Sequence, residues 1–329
     1  MAKNTPITVK SCHFVHTEDI DPKATKGGGD LWEGFINICV RAAEEALDTP
    51  PTGYTPIQRN SLTDIFTSMR ATHRAIRVLV RLGDGKPESV DALVLARLQI
   101  EGLYTLCLLF EKPENVQRYV HEAWKRQYIR WMLNAHETHK LDRFSGYDGN
   151  EYPRLMKMAE IWNISNEQRL TIEFHQREVE PPPGFVPQPI KNFPTPKQVI
   201  DEIPDGTKKK MLERLYLEYQ DLCAYAHGRP VAGFGKSIFD DRSVARKEFL
   251  SVYGQDSVEE IFRQRVLGPA QIYSLLAVAQ ATAELTTICP DDVELRSAAV
   301  RAWTELHNSH LLVNGIWNIH TRAMLGLIG

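Results

Sequence analysis

The stretch ARLQIEGLYTLCLLFE, residues Ala96 to Glu111, decides the fold of this chain because it is almost wholly apolar. It nevertheless contains a cation, Arg97, and an anion, Glu101. Residues four apart lie about 40° apart around an α-helix, so both charges project from one face. A helix that is apolar nearly all round is buried, and an unpaired charge there is very costly. We therefore expect a core helix in which Arg97 and Glu101 pair with each other or with further polar groups.

Apolar residues at helical spacing continue on both sides of this stretch. The predicted helices cover about 31–47, 58–82, 89–111, 113–139, 151–163, 165–178, 207–226, 241–252, 256–267, 269–288 and 291–307, with a short one ending near 327. Either Pro87 or a Ser89 cap opens the helix that holds the quoted stretch. Short segments of alternating apolar and polar residues, which indicate strands, do not occur convincingly. The sequence predicts an all-α, multi-helix bundle of roughly ten helices.

A proline-rich segment, EVEPPPGFVPQPIKNFPTP at 178–196, interrupts the helical pattern. Its composition favours an extended polyproline II conformation, so it is either a linker or a strap across the surface. We expect a flexible arm at 1–30, an N-terminal helical part at 31–179, the strap at 180–196 and a C-terminal helical part at 197–329. The two helical parts are expected to pack as one domain.

The composition is that of an ordinary globular protein, with 43% hydrophobic residues, 25% charged residues and a formal net charge of -3. The near-neutral balance leaves only local patches from which to predict charged partners. The five cysteines are scattered and form no Cys-x-x-Cys, which indicates reduced thiols in a cytoplasmic protein. The first residues lack the apolar core of a signal peptide, and charges interrupt the longest apolar run. We expect no membrane segment.

A later segment, LCAYAHGRP at 222–230, supplies a candidate partner for Glu101. His227 lies at a predicted helix C-terminus, where the helix dipole favours a protonated imidazole. A buried Arg97–Glu101–His227 cluster would follow. It is either a structural clasp between two helices or a polar pocket with an acid–base pair, which makes these three residues the catalytic candidates.

The Arg-x-x-x-Glu helix and the later Tyr-x-His-Gly resemble uncharacterised bacterial all-helical families of unknown function. Over about 60–290 the chain is also distantly similar to the HEPN superfamily of helical nucleotide- and RNA-associated domains. In HEPN ribonucleases the resemblance implies an Arg and a His four to six residues apart on one helix. The window 221–225 before His227 contains no Arg, so this chain departs from that pattern. Arg-x5-His spacings occur elsewhere, at Arg130/His136, Arg169/His175 and Arg301/His307.

Four arginines, Arg70, Arg74, Arg77 and Arg81, share one face of the helix predicted at 58–82. Guanidinium groups in a row can bind nucleic-acid phosphates. The other interpretation is a solvated helix face that pairs with acids of a neighbouring helix. The stripe is the candidate nucleic-acid-binding surface.

Histidines three residues apart occur at His13/His16, His136/His139 and His307/His310. On a helix such neighbours can share a metal ion, and His136 and His139 are the candidate ligands. Two histidines are an incomplete site, and the alternative is that they are surface residues. Because the sequence contains no glycine-rich phosphate loop, no cofactor is expected.

Three functions follow from these patterns. The first is a non-enzymatic interaction or accessory protein, with a protein partner or a second copy of itself. The second is a HEPN-like RNA-binding protein or ribonuclease. The third is a metal-dependent helical hydrolase that uses paired histidines.

Overall fold

A computed structural model describes residues 29–48, 54–82, 87–141, 151–226, 240, 242–254, 266, 268–307, 315–316 and 320–327. The described part of the chain is 80% helical, contains twelve α-helices and has no strand. The all-α, multi-helix prediction is therefore confirmed. Most of the predicted arm, His227 and the helix predicted at 256–267 (apart from Val266) lie outside the described residues.

The helices follow one another with short connections. They are α1 (Gly29–Asp48), α2 (Pro56–Leu82), α3 (Asp91–Glu111), α4 (Asn115–Leu141), α5 (Glu151–Ile161), α6 (Asn166–Arg177), α7 (Pro196–Glu202), α8 (Thr207–Ala226), α9 (Val244–Tyr253), α10 (Gly268–Leu285), α11 (Val293–His307) and α12 (Arg322–Met324). A 3₁₀ turn, Pro87–Val90, leads directly into α3, whose cap position is Val90 rather than Ser89.

Helix α3, which contains the quoted stretch, lies at the centre of the main core. It packs against α2, α10, α8 and α7, and most of its apolar side chains are buried. Gly102 permits the close approach of α2, because a Cβ there would lie 3.3 Å from Met69 Cγ. By length and composition α3 could also cross a membrane, a property that core helices share. The predicted absence of a membrane segment therefore stays a prediction.

Helix α10 is the second central helix, and nearly every side chain from Ala270 to Leu285 is buried. The cysteines that the structure describes are unpaired. Burial raises the pKa of Cys39 to about 12, which leaves it an unreactive thiol. Cys39 and Cys107 are buried, whereas Cys223 and Cys289 are partly exposed, and the reduced state of the thiols stays a prediction.

A second, smaller core joins the middle of α4 to α5 and α6. Its buried residues are Trp124, Tyr128, Leu155, Ala159, Ile172 and Ile190. Ile190 belongs to the proline-rich segment, which runs from α6 to α7 without helix or strand and makes a turn at Pro182–Phe185. The N-terminal end of α4 contributes Val116 and Val120 to the main core, so one continuous helix connects both cores.

Helix α7 was not predicted, although its start carries a clear signal. Thr195 caps the helix by accepting a hydrogen bond from the Gln198 backbone N–H, and the Gln198 side chain caps in return. Pro196 occupies the first turn, where a missing N–H costs nothing. The proline-rich composition of the preceding segment hid this capping box.

Candidate functional site

Arg97 and Glu101 form an ion pair and share a third partner, Tyr219 of α8. The Arg97 Nη2 group donates to Glu101 Oε1 over 2.5 Å, and the Tyr219 hydroxyl donates to the same oxygen over 2.6 Å. The Arg97 guanidinium lies 5.6 Å from the centre of the Tyr219 ring, within cation–π range. We call Arg97, Glu101 and Tyr219 the open cluster.

The open cluster is less buried than the sequence indicates. The Arg97 and Glu101 side chains are 20% and 29% exposed. The pair is only partly buried, and not fully as expected, because this face of α3 borders a cleft as well as Tyr219 of α8. Tyr219 is itself buried, and its burial together with the Glu101 hydrogen bond raises the pKa of the phenol. At neutral pH Tyr219 is therefore a protonated hydrogen-bond donor and not a base.

The cleft beside the open cluster has a volume of about 600 Å³. Residues of α3 and α4 line it, together with the end of the proline-rich segment, Val199 of α7 and Tyr219 of α8. Aromatic rings line it, contributed by Tyr104, Tyr119, Phe193 and Tyr219. The size and the mixture of apolar walls with few polar groups are typical of ligand sites.

A second ion pair lines the same cleft from α4. Arg126 donates to Glu122 Oε1 from Nε over 2.9 Å and from Nη2 over 2.5 Å. The Arg126 side chain is 79% exposed, whereas that of Glu122 is 10% exposed. The other oxygen of Glu122 accepts the Phe193 backbone N–H. Each cation in the cleft thus has its own carboxylate, so the four charges balance.

Side chains of α4 also bind the proline-rich segment by donating hydrogen bonds to its backbone carbonyl groups. Arg118 Nε donates to the Asn192 carbonyl over 2.5 Å, and Lys125 Nζ donates to the Ile190 carbonyl over 3.3 Å. The Phe193 ring packs edge-on against Tyr119, with 5.4 Å between ring centres. The segment therefore lies along α4 as a strap and forms a wall of the cleft.

The arginine stripe faces acids of α1 where the structure describes it. Arg70 pairs with Glu44 over 3.1 Å, while Arg77 pairs with Glu33 and Arg74 lies 3.5 Å from the same carboxylate. These contacts favour the interpretation of a helix face paired with a neighbouring helix. The Arg81 side chain lies outside the described residues. RNA binding by the stripe stays a prediction.

The metal candidates are not placed by the structure, because the side chains of His136 and His139 lie outside the described residues. Among the residues that are described, no three His, Cys, Asp or Glu side chains converge as a metal ion requires. His227 is likewise outside, so its contact with Glu101 stays a prediction. Tyr219, eight residues earlier in the chain and on α8, is the partner that the structure shows.

A different polar cluster lies sealed in the main core around Glu284 of α10, which is fully buried. Its carboxylate accepts hydrogen bonds from His320 Nε2 and Gln280 Nε2, each over 2.7 Å, and lies 3.0 Å from Lys208 Nζ. Burial alone would raise the pKa of Glu284, but the His320 bond and the Lys208 charge together hold that pKa below its usual value. We call Lys208, Gln280, Glu284 and His320 the sealed cluster.

The sequence did not indicate several of these residues. Tyr219 was assigned to the apolar face of its helix, and its hydroxyl gave no separate signal. Glu122 and Arg126 have the spacing of an i,i+4 pair, which would have been a usable clue.

No protein-family model matches the chain, and no curated protein or solved structure matches it significantly.

Proposed function

We propose that this protein is a non-enzymatic interaction protein that binds an extended segment of a partner protein in the cleft beside the open cluster. The observation that carries the proposal is the balance of charge in an aromatic cleft. A peptide backbone is neutral and alternates donors with acceptors. Paired arginines and carboxylates can meet both kinds of group without leaving a net charge buried.

The chemistry of the open cluster supports binding more than catalysis. A general base or a nucleophile at neutral pH needs a pKa adjusted towards that range. The pKa of Tyr219 is moved in the opposite direction, and Glu101 accepts two hydrogen bonds on one oxygen. Such an arrangement positions side chains for contact with a ligand.

A peptide-display selection on the whole chain tests this proposal. A library of random twelve-residue peptides is panned against the wild type, Ala123→Trp and Ala71→Trp. Ala123 lines the cleft, whereas Ala71 is exposed on α2, so both variants make the same change in different places. We expect peptides that bind the wild type and Ala71→Trp, and that lose at least tenfold in affinity for Ala123→Trp.

Two results would count against the proposal: no peptide enriched on the wild type, or peptides that bind Ala123→Trp as well as the wild type. Arg126→Ala provides a second test, since its side chain is 79% exposed. Because the change also removes a partner of the buried Glu122, the free energy of unfolding is measured beside the affinity. Labelled single-stranded RNA, titrated against the wild type and an Arg74→Glu, Arg77→Glu double variant, tests the RNA alternative. Binding of RNA that this variant loses would favour the arginine stripe instead.

A further inference from the structure

We infer that Thr207, the first residue of α8, is a modification site whose hydroxyl attacks an activated ester and keeps its acyl group. The inference goes beyond the proposed function, because Thr207 does not line the cleft and is modified once per chain, without turnover. It is carried by the contacts of Thr207 with two members of the sealed cluster, His320 and Glu284.

These three side chains form one hydrogen-bonded row that leads from the surface into the core. Thr207 Oγ1 lies 3.0 Å from His320 Nδ1, and His320 Nε2 lies 2.7 Å from Glu284 Oε1. Thr207 is exposed, whereas the side chains of His320 and Glu284 are 11% and 0% exposed. A hydroxyl, an imidazole in contact with it and a third group that orients the imidazole are the parts of an activated nucleophile.

The buried carboxylate determines which nitrogen of His320 carries the proton. The pKa of Glu284 is held below its usual value, so at neutral pH this group is a carboxylate and can only accept hydrogen bonds. His320 Nε2 must therefore carry a proton to bond with it. In the neutral imidazole Nδ1 then has a free lone pair, which accepts the hydrogen bond of the Thr207 hydroxyl. A general base for Thr207 requires this tautomer.

The acylation step balances within these residues and the ester. As Thr207 Oγ1 attacks the carbonyl carbon, its proton passes to His320 Nδ1, and the Glu284 carboxylate stabilises the imidazolium. The bond from the carbonyl carbon to the leaving oxygen then breaks, and that oxygen takes the electron pair and the proton from Nδ1. The products are acylated Thr207 and a free alcohol or phenol. The N–H groups of the first turn of α8 have no acceptor within the helix and can stabilise the oxyanion.

A fluorescent fluorophosphonate tests the hydroxyl, because the nucleophile attacks its phosphorus, fluoride leaves and the adduct is not released. The whole chain and its variants are labelled, digested and mapped by mass spectrometry. Thr304 of α11 is the matched control, since its exposed hydroxyl donates to the Val300 carbonyl of its own helix. We expect Thr207 to be labelled at least about tenfold faster than Thr304, and His320→Gln to reduce that rate at least about tenfold. Thr207→Ser should keep the label, Thr207→Val should lose it, and Thr304→Val should change nothing.

Two results with this probe overturn the inference: labelling of Thr207 no faster than that of Thr304, or a rate that His320→Gln leaves unchanged. Because His320→Gln also removes a partner of the buried Glu284, the wild type unfolded in guanidinium is labelled beside it. Labelling depends on distances that only the folded chain maintains, so equal labelling of the folded and unfolded wild type overturns the inference as well.

The acyl group itself is tested with p-nitrophenyl acetate. We expect the wild type to release more p-nitrophenolate than Thr207→Val, by about one equivalent per chain, with the acetyl group mapped to Thr207. Equal release by the two proteins overturns the inference and leaves the proposed function standing. Excess release that continues past one equivalent would show hydrolysis, which overturns both the single modification and the non-enzymatic function.

Discussion

The open cluster and the sealed cluster both combine a carboxylate with a cation and a hydroxyl or amide donor, and both involve α8. Their carboxylates differ in exposure to solvent. Glu284 of the sealed cluster is fully buried, whereas Glu101 of the open cluster is 29% exposed. Oε1 of the sealed carboxylate accepts hydrogen bonds from α10 and the C-terminal segment, and its Oε2 lies 3.0 Å from Lys208 Nζ of α8. The open one borders an aromatic cleft.

This difference in burial gives the two clusters different roles, one in the stability of the fold and one in contact with a ligand. The burial of a charge is costly, and a structure tolerates it only where partners satisfy the charge, so the loss of one partner is severe. A pair that borders solvent can exchange its partners for water at a lower cost, and it contributes less to stability. The same residue types therefore hold the fold together in the sealed cluster and remain accessible to a ligand in the open one.

The largest effect is expected in the sealed cluster. Lys208→Met removes the cation that lies 3.0 Å from Glu284 and leaves the buried carboxylate under-compensated. We expect a loss of about 3 to 4 kcal/mol in the free energy of unfolding, measured by guanidinium denaturation. The double variant with Glu284→Met should recover more than half of that loss. A loss below about 1 kcal/mol in the single variant would contradict the role assigned to this cluster.

Another buried polar group makes stability depend on pH. His73 is fully buried between α2 and α10, its Nδ1 lies 2.8 Å from Ser274 Oγ, and burial lowers its pKa to about 4. In the unfolded chain the pKa is about 6.5, so the unfolded state binds the proton first as the pH falls. This contribution is complete above about pH 6.5 and is lost as the pH falls towards 4.

Between pH 7 and pH 5, His73 should lower the free energy of unfolding by about 2 kcal/mol. The measurement is a series of denaturation curves over this range for the wild type and His73→Gln. Gln keeps a hydrogen-bonding side chain towards Ser274 but does not titrate. If both proteins lose stability in parallel, the pH dependence has a source other than His73.

The arginine stripe offers the same comparison within a single helix. Arg77 and Arg74 both approach Glu33, but their side chains are 10% and 59% exposed. We expect Arg77→Ala to lower the free energy of unfolding by about 1 to 2 kcal/mol, and Arg74→Ala to lower it by less than about 0.5 kcal/mol. Thermal unfolding of the wild type and the two variants under identical conditions compares the two losses in the free energy of unfolding. Equal costs would show that burial does not govern the strength of these pairs.

A small effect on stability is also expected in the open cluster. Tyr219→Phe removes the hydroxyl that donates to Glu101 but keeps the ring in contact with Tyr104. We expect a loss of less than about 1 kcal/mol in stability, because Glu101 keeps Arg97 and gains access to water. The affinity for a selected peptide should nevertheless fall about threefold to tenfold, measured by fluorescence anisotropy. A large loss of stability with unchanged affinity would show that the Tyr219 hydroxyl stabilises the fold and does not contribute to peptide binding.

The sequence predicted the fold well where the signal is local. The apolar surface of α3 and the spacing of Arg97 and Glu101 were enough to place a central helix with a charged pair on one face. Three arginines on one face of α2 were enough to suggest acidic partners on a neighbouring helix. In each case a periodic pattern within about twenty residues contains the information.

The partners in the site were harder to predict, because they are distant in the chain. Tyr219 lies 118 residues from Glu101, and a tyrosine on an apolar helix face reads as an ordinary core residue. Glu284 sits in a helix of small apolar residues, and no local pattern connects it with Lys208 or His320. The cleft itself arises from the packing of α3, α4, α8 and the strap, which no single segment encodes.

The comparison between the two carboxylates can be tested directly with one measurement. Guanidinium denaturation of Glu101→Gln and Glu284→Gln, beside the wild type, applies the same small change to both clusters. Glu284→Gln should lower the free energy of unfolding by about 2 to 4 kcal/mol, and Glu101→Gln by less than about 1 kcal/mol. Comparable losses in the two variants would contradict the distinction between a sealed cluster that stabilises the fold and an open cluster that is available for binding.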